Sequence, residues 1–289
     1  MFNPAAVLSA AFGDHLAETY LRAFPEQKTQ FADFLKQTAR ETLVQINTSD
    51  AAYHNSEHTV MVTLVGQQIM QGKHKTSAVQ PEDWLHFILA LLSHDIGYTR
   101  GVCDGDTSNE VVVNDAGEKV CPPRGATDAY LAPYHVDRSK IYASNRFSGI
   151  DFIDPERIAR AIEYTRFPVP DDPAYTDFGS EAGLVRAADL IGQIADPYYL
   201  RKISALHCEF VEIGFAHKLG CETPMDLVEQ FPSFFHQQVE PLIGPALEHL
   251  RQTPDGKELI SELHNRVSQV KRRENTLGPF AGQEQNPPD

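Results

Sequence analysis

Sulfur and indole are scarce in this chain: four Cys, four Met and one Trp in 289 residues. The cysteines, Cys103, Cys121, Cys208 and Cys221, form no Cys-x-x-Cys pair, which argues against a zinc ribbon. They read as free thiols of a reducing compartment. Cys103 and Cys121 flank an expected hairpin and are the pair that could approach each other. Positive charge is scarce too. The 25 Lys and Arg face 40 Asp and Glu, for a formal net charge of -15. Such a surface repels nucleic-acid backbones, so no polymeric nucleic acid is expected as a partner. An anionic substrate would need metal ions or local arginines to offset the same field. Long apolar runs are absent: nothing approaches the ~18 residues of a membrane span. Asn3, Pro4, Asp14 and His15 interrupt the N-terminus where a signal peptide would carry its apolar stretch. A cytoplasmic protein with no membrane partner is the expectation.

Helical spacing fills most of what remains, and the expected class is all-α with a small β-hairpin insertion. Apolar residues recur at helical intervals over 5–23 and 28–46. Asn55 or Ser56 is placed to cap a helix over 56–72, with Gly72 as its stop. Pro81 opens the next helix, whose body Trp84–Leu92 is apolar nearly all round and belongs in the middle of a domain. Residues 98–150 read as a loop and hairpin insertion, with strands at Glu110–Val113 and Glu118–Val120 around the turn Asn114–Gly117. Further helices are expected at 154–165, 180–194 and 197–218, another after Pro224 with a break near Pro241 and Pro245, and a last one over 255–273. One helical domain over 1–274 is the expected organisation, followed by a disordered tail over 275–289.

Against this background a few polar residues stand out. His94-Asp95 ends the most apolar helix, and a buried carboxylate needs a partner or a cation. A hydrogen-bonded core pair would satisfy it as well as a metal. His54 and His58 are four apart, so they share a helical face if the helix starts early, or His54 sits on the loop before it. Asp189 lies in the apolar run Leu184–Ile191, with Arg186 three residues back as a possible salt-bridge mate. The other reading aims Asp189 at the same cation as His94 and Asp95.

The order His, His-Asp, Asp resembles the HD-domain metal-dependent phosphohydrolases, and among them the class I 3',5'-cyclic-nucleotide phosphodiesterases. Their Y-H-N-x-x-H-x-x-x-V signature is similar to Tyr53-His54-Asn55-Ser56-Glu57-His58-Thr59-Val60-Met61-Val62, and their A-D-L to Ala188-Asp189-Leu190. Thr165 falls where they carry an A-T-D-M-like segment. The likeness runs over roughly residues 50–250 with a gap at the hairpin. It implies a helical bundle of the HD type, with His58, His94, Asp95 and Asp189 as metal ligands. Asp95 would be shared between two metals at the catalytic centre, and His54 would be the general acid for the leaving oxygen. One or two divalent ions are implied, Mn, Mg, Fe or Zn, among which imidazole and carboxylate donors do not choose. The implied substrate is a small phosphorylated molecule, most simply a nucleotide or cyclic nucleotide. A homo-oligomer is left open.

The chain departs from that pattern at Tyr98, where such enzymes usually carry another His three residues after the HD Asp. His135 is a candidate to substitute for it. Tyr53, His135 and Arg166 are candidates to contact substrate, as are Gln230 and Phe234, which lie near where the family stacks a purine. The alignment places Phe231, not Gln230, at the purine-binding position, and Phe231, Phe234 and Phe235 could equally be core. Arg124, Arg138, Lys140 and Arg146 bring positive charge into the insertion, where one or two could reach phosphate oxygens, a job that bidentate arginine suits, while most would be solvated surface charges; the hairpin could form a lid. Two other functions fit the same ligand order: a di-iron oxygenase of the HD type, disfavoured because His135 is the only His between Asp95 and Asp189, and a non-catalytic HD binding module.

Overall fold

Helix starts in this protein follow its own caps and prolines. Asn3, Asn55, Asp154 and Ser180 each accept a first-turn backbone N–H, and Pro4, Pro81, Pro155, Pro224 and Pro254 each open a helix where a missing N–H is harmless. The computed structural model describes residues 3–271, so the expectation for 275–289 lies outside the described residues. In chain order the α-helices are α1 Pro4–Ala23, α2 Gln30–Ile46, α3 Ser56–Thr76, α4 Pro81–Ser93, α5 His135–Phe147, α6 Pro155–Glu163 and α7 Glu181–Ala195. They continue as α8 Tyr199–Glu212, α9 Phe215–Leu219, α10 Pro224–Phe234, α11 Glu240–Leu250 and α12 Pro254–Lys271. Among the described residues the only strands are β1 Val111–Val112 and β2 Lys119–Val120, antiparallel, with Val111 opposite Val120. The class is therefore all-α with one hairpin.

Helix α4 is central, as its all-round apolarity requires. Trp84, Leu85 and Phe87 through Leu92 are fully buried, and α2, α3, α6 and α7 pack around them. Helices α3 and α7 approach closely at Gly192. A Cβ there would sit 2.7 Å from the Cα of Val62, so only glycine allows this backbone approach. Val62 is one turn beyond His58, and Gly192 is one turn beyond Asp189. The tight contact is thus what lets these two side chains meet. No helix among the described residues is long and apolar enough to cross a membrane.

Several expected boundaries move. Helix α3 runs through Gly72 to Thr76, because Gly72 packs against the His249 carbonyl of α11 and does not terminate anything. The stretch 197–218 divides into α8 and α9 at the turn Ile213–Gly214. The break expected near Pro241 falls earlier, as a π-helical turn over Phe235–Val239. A proline ring disfavours the carbonyl four residues back, so the chain loosens before Pro241 and restarts with it in the first turn of α11. All four cysteines are free: Cys103 and Cys221 are buried, and Cys121 and Cys208 are exposed.

The largest correction concerns 98–150, about a third of which is helix. Helix α5 fills its second part, and Arg138 on α5 is fully buried instead of solvated. Its guanidinium donates to the carbonyls of Gly97 (2.7 Å), Thr99 (2.8 Å) and Val112 and pairs with Asp106 at 3.0 Å. One arginine thereby ties the hairpin, the segment after Asp95 and α5 into one piece. Lys140 and Arg146 are likewise engaged, by Asp137 with Glu163 and by Glu41 respectively.

Candidate metal centre

Two helix ends and one helix middle deliver the candidate ligands. The Asn55 cap accepts from the amides of Glu57 (2.9 Å) and His58 (3.4 Å), which fixes the first turn of α3 and places the His58 ring inward. His54 lies on the loop before that turn. Helix α4 ends at Ser93, so His94 and Asp95 emerge at its buried C-terminal end. Asp189 comes from the middle of α7. Gly97, just beyond Asp95, lets the chain run against α5, since a Cβ there would lie 2.0 Å from the His135 carbonyl.

These side chains converge. His58 Nε2 is 3.2 Å from Asp95 Oδ2 and 3.4 Å from Asp189 Oδ1, and His94 Nε2 is 3.1 Å and 3.6 Å from the same two oxygens. His58, His94 and Asp95 are buried and present atoms close enough together to hold one metal ion. The contacts have ion-pair distances but lack hydrogen-bond geometry: His58 Nε2, His94 Nε2 and Asp95 Oδ2 are all buried without a hydrogen-bond partner. Buried polar atoms are normally satisfied, so three orphans facing one point indicate a shared partner. A cation serves all three at once. The donor set of two imidazoles and two carboxylates suits a divalent transition metal or Mg²⁺.

The surrounding hydrogen bonds fix the right tautomer. His94 Nδ1 donates to the Leu91 carbonyl at 2.7 Å, leaving the lone pair of Nε2 toward the centre. His135 repeats this with the Ala132 carbonyl at 2.6 Å, and its Nε2 stands 3.7 Å from Asp95 Oδ1. Asp95 therefore faces His58 and His94 with one oxygen and His135 with the other. Burial lowers the His135 pKa, which favours the neutral ring.

Electrostatics in the cluster is dominated by mutual pairing. Burial alone would raise the pKa of Asp189, but the adjacent His58 and His94 override it and bring it to about 2. Burial likewise raises that of Asp95, and the charge of His94 and the contact with His58 drive it well below the carboxylate range. His58, which burial would lower, is raised to about 9 by Asp189 and Asp95. The possible Arg186 mate for Asp189 is not used. Arg186 donates to the Tyr175 carbonyl at 2.9 Å and lies over the rings of Tyr164 and Phe178.

Next to the cluster, His54 is held from behind. Its Nδ1 is 2.5 Å from Glu209 Oε2, and Glu209 Oε1 accepts the amides of Tyr53 (2.6 Å) and His54 (3.2 Å). Burial raises the pKa of Glu209, but the His54 charge and these donors outweigh it and hold it below the usual carboxylate range. Glu209 is absent from the sequence expectations. Its signal was there: it lies on the buried stripe Tyr199, Ile203, Leu206 of α8, where an acid needs a reason. Tyr53 is buried, edge-on to His54 and against His58. Tyr98 packs flat on His54 at 4.4 Å and on His135 at 4.5 Å.

The remaining substrate candidates lie in other surroundings. Arg166 is engaged by Glu163 (2.5 Å) and Asp137 (2.8 Å), with Glu163 also bound by Lys140 and Tyr175. Gln230 is exposed and donates to the Leu219 carbonyl at 3.3 Å. Phe234 meets Phe167 edge-on at 5.7 Å, while Phe231 and Phe235 are buried core. Among the described residues, none of these has a hydrogen bond, ion pair or ring contact with the His/Asp cluster.

The chain belongs to the Npun_R2479-like family, whose profile matches residues 2–273. No curated protein and no solved structure matches it.

Proposed function

We propose that this Npun_R2479-like protein is a metal-dependent phosphohydrolase of the HD type, acting on a small phosphoester, most simply a nucleotide or cyclic nucleotide. The observation that carries the reading is the trio of orphaned buried atoms, His58 Nε2, His94 Nε2 and Asp95 Oδ2, beside a histidine backed by a carboxylate. His58, His94, Asp95 and Asp189 would hold the ion, and the second oxygen of Asp95, facing His135, offers a place for another. A bound divalent ion supplies Lewis acidity and an activated water. The chain supplies the rest. His54, with Nδ1 held by Glu209, keeps Nε2 free to give a proton to the leaving oxygen. Glu209 stabilises the imidazolium before transfer and fixes which nitrogen acts, as the acid of a His–carboxylate pair does. The formal net charge of -15 disfavours an anionic substrate, so substrate binding should depend on metal.

Elemental analysis and a substrate panel test this. The purified protein should carry a divalent metal. With added Mn²⁺ it should hydrolyse p-nitrophenyl phosphate, bis(p-nitrophenyl) phosphate or a member of a panel of cyclic nucleotides and nucleoside monophosphates. Chelation should abolish turnover, and His94→Ala and Asp189→Asn should lose the metal. Turnover that survives complete metal removal would sink the reading, and so would a protein that binds no divalent ion.

The geometry of His135 favours a second reading, a di-iron oxygenase, because it adds a nitrogen donor beside Asp95. Bound iron with visible absorption and oxygen uptake would select it over hydrolysis.

A further inference from the structure

We propose that Tyr98 is a positioning residue whose ring sets the plane in which His54 presents Nε2 to the reacting phosphoester. The inference rests on the acid role of His54 proposed above. Glu209 engages the His54 ring at a single atom, Nδ1, and coupled rotation about the two side-chain torsions can still tilt the ring while that contact is kept. The tyrosine removes this freedom. Its ring centroid is 4.4 Å from that of His54 and the planes differ by 8°. Tyr53 and His58 meet the same imidazole edge-on, at 5.1 Å and 77° and at 5.5 Å and 76°. His135 also lies roughly parallel to the imidazole but farther off, at 6.5 Å and 28°, so Tyr98 is the flat ring in direct contact, and with the two perpendicular neighbours it leaves one orientation.

Tyr98 can serve as a reference surface because it is itself immobilised. It ends the 3₁₀ turn Ile96–Tyr98 that follows Asp95, and it is 4% exposed. The peptides on both sides are clamped by α5. The Gly97 amide donates to Ser139 Oγ at 2.9 Å, and Arg138 donates to the carbonyls of Gly97 and Thr99. The other ring neighbour, His135, lies 4.5 Å away at 23°. Tyr98 thus couples the segment that carries Asp95 to the histidine that must act beside it. Its hydroxyl makes no hydrogen bond among the described residues, so the contact with His54 is made by the ring. A misplacement of about 1 Å in a catalytic group lowers the rate by about a hundredfold, so loss of the flat contact should be visible in turnover.

The test compares Tyr98→Phe, which keeps the ring, with Tyr98→Leu, which keeps bulk and loses the plane. Tyr98→Met replaces the latter if it fails to fold. Hydrolysis is measured with Mn²⁺ on two esters of one phosphoryl group, one with a p-nitrophenolate leaving group and one with an alkoxide. Tyr98→Phe should stay within about twofold of wild type on both. Tyr98→Leu should lose about ten- to a hundredfold in kcat on the alkyl ester, with little change in KM, metal content or p-nitrophenyl hydrolysis. Equal loss on both esters, or no loss on either, overturns the proposal. A readout without turnover keeps it separable from the hydrolase reading. In metal-stripped protein the His54 imidazole NMR signals, assigned by their absence in His54→Gln, should be sharp in wild type and Tyr98→Phe and broadened or shifted toward free-ring values in Tyr98→Leu. If wild type hydrolyses nothing, the phosphohydrolase reading fails and these signals alone decide. Signals unchanged in Tyr98→Leu would refute the positioning role.

Discussion

His54 and Glu209 meet across 155 residues of sequence, and their pairing is the most specific chemical statement at the level of single side chains. A histidine with one nitrogen on a buried carboxylate has a defined tautomer and a defined free nitrogen. His54→Gln should therefore keep metal and lose about a hundred- to ten-thousandfold in kcat on a poor leaving group, the usual range for a general acid. Steady-state kinetics with metal analysis of the same sample would check it, and full activity in that variant would remove His54 from the mechanism. Glu209→Gln is the sharper variant. It preserves shape and can still accept from the Tyr53 and His54 amides through its remaining oxygen, but it cannot offset an imidazolium. Its kcat on a poor leaving group should fall about tenfold or more, with metal retained and a smaller loss on a p-nitrophenyl ester that needs no acid. Three candidate ligands were legible as polar groups in an apolar context, His94-Asp95 at the end of α4 and Asp189 within Leu184–Ile191, and His58 through its spacing from His54 and the motif around it. Glu209 sat in the same kind of context and was passed over, since no local motif links it to His54. Arg138 is the opposite case: its charge suggests solvent, and only the fold shows the three carbonyls and the aspartate that engage it.

At the level of elements, the site depends on how closely α3 and α7 approach. Gly192 touches the backbone of Val62, so a methyl group has no side chain to push aside and must move a helix. Gly192→Ala should separate Asp189 from His58 by part of an ångström and destabilise the protein by about 1–3 kcal/mol, as overpacking does. Metal affinity should fall much more than stability. Thermal unfolding and metal titration would show this, and unaltered metal binding would mean that α7 absorbs the methyl elsewhere. Arg138→Met tests the other scaffold. It removes the donors to the Gly97, Thr99 and Val112 carbonyls and leaves Asp106 unpaired, so a loss of about 3–5 kcal/mol is expected, read by denaturant unfolding. The hairpin was legible because the turn Asn114–Gly117 and the valine run are local signals. Helix α5 was not. Its sequence, His135–Phe147, is polar on most faces, and what holds it is the buried face of Val136, Arg138, Ser139, Ala143 and Phe147 against the segment after Asp95. Such a helix is specified by its neighbours, and periodicity alone does not reveal it.

For the whole molecule, metal, protons and stability form one linked equilibrium. In the metal-free protein the raised pKa of His58, about 9 against an ordinary 6.5, means that the folded state binds its proton more tightly than the unfolded chain does. That contribution is fully present below 6.5 and is lost as the pH rises through about 9; by linkage it is on the order of 3 kcal/mol. Asp189 has the opposite sign: lowered from 3.8 to about 2, it adds stability above 3.8 that disappears as the pH falls through about 2. Metal-free protein should therefore be most stable between pH 3.8 and 6.5 as far as this cluster is concerned, and should weaken toward pH 9. A divalent ion needs neutral imidazoles, so it competes with the His58 proton and gains affinity over the pH range in which that proton is lost. The shift in Tm on adding Mn²⁺ should consequently grow from pH 6.5 to 9, and titration calorimetry in buffers of different ionisation enthalpy should register proton release at pH 7. With a net charge of -15, the molecule adds a general attraction for cations that salt screens, so the titrations belong at fixed ionic strength. A metal-free Tm that stays level or rises between pH 6.5 and 9, together with a metal-induced shift that does not change, would mean that His58 and Asp189 are not the groups a cation replaces. The convergence of α3, α4 and α7 would then have to be explained as a structural ion-pair cluster.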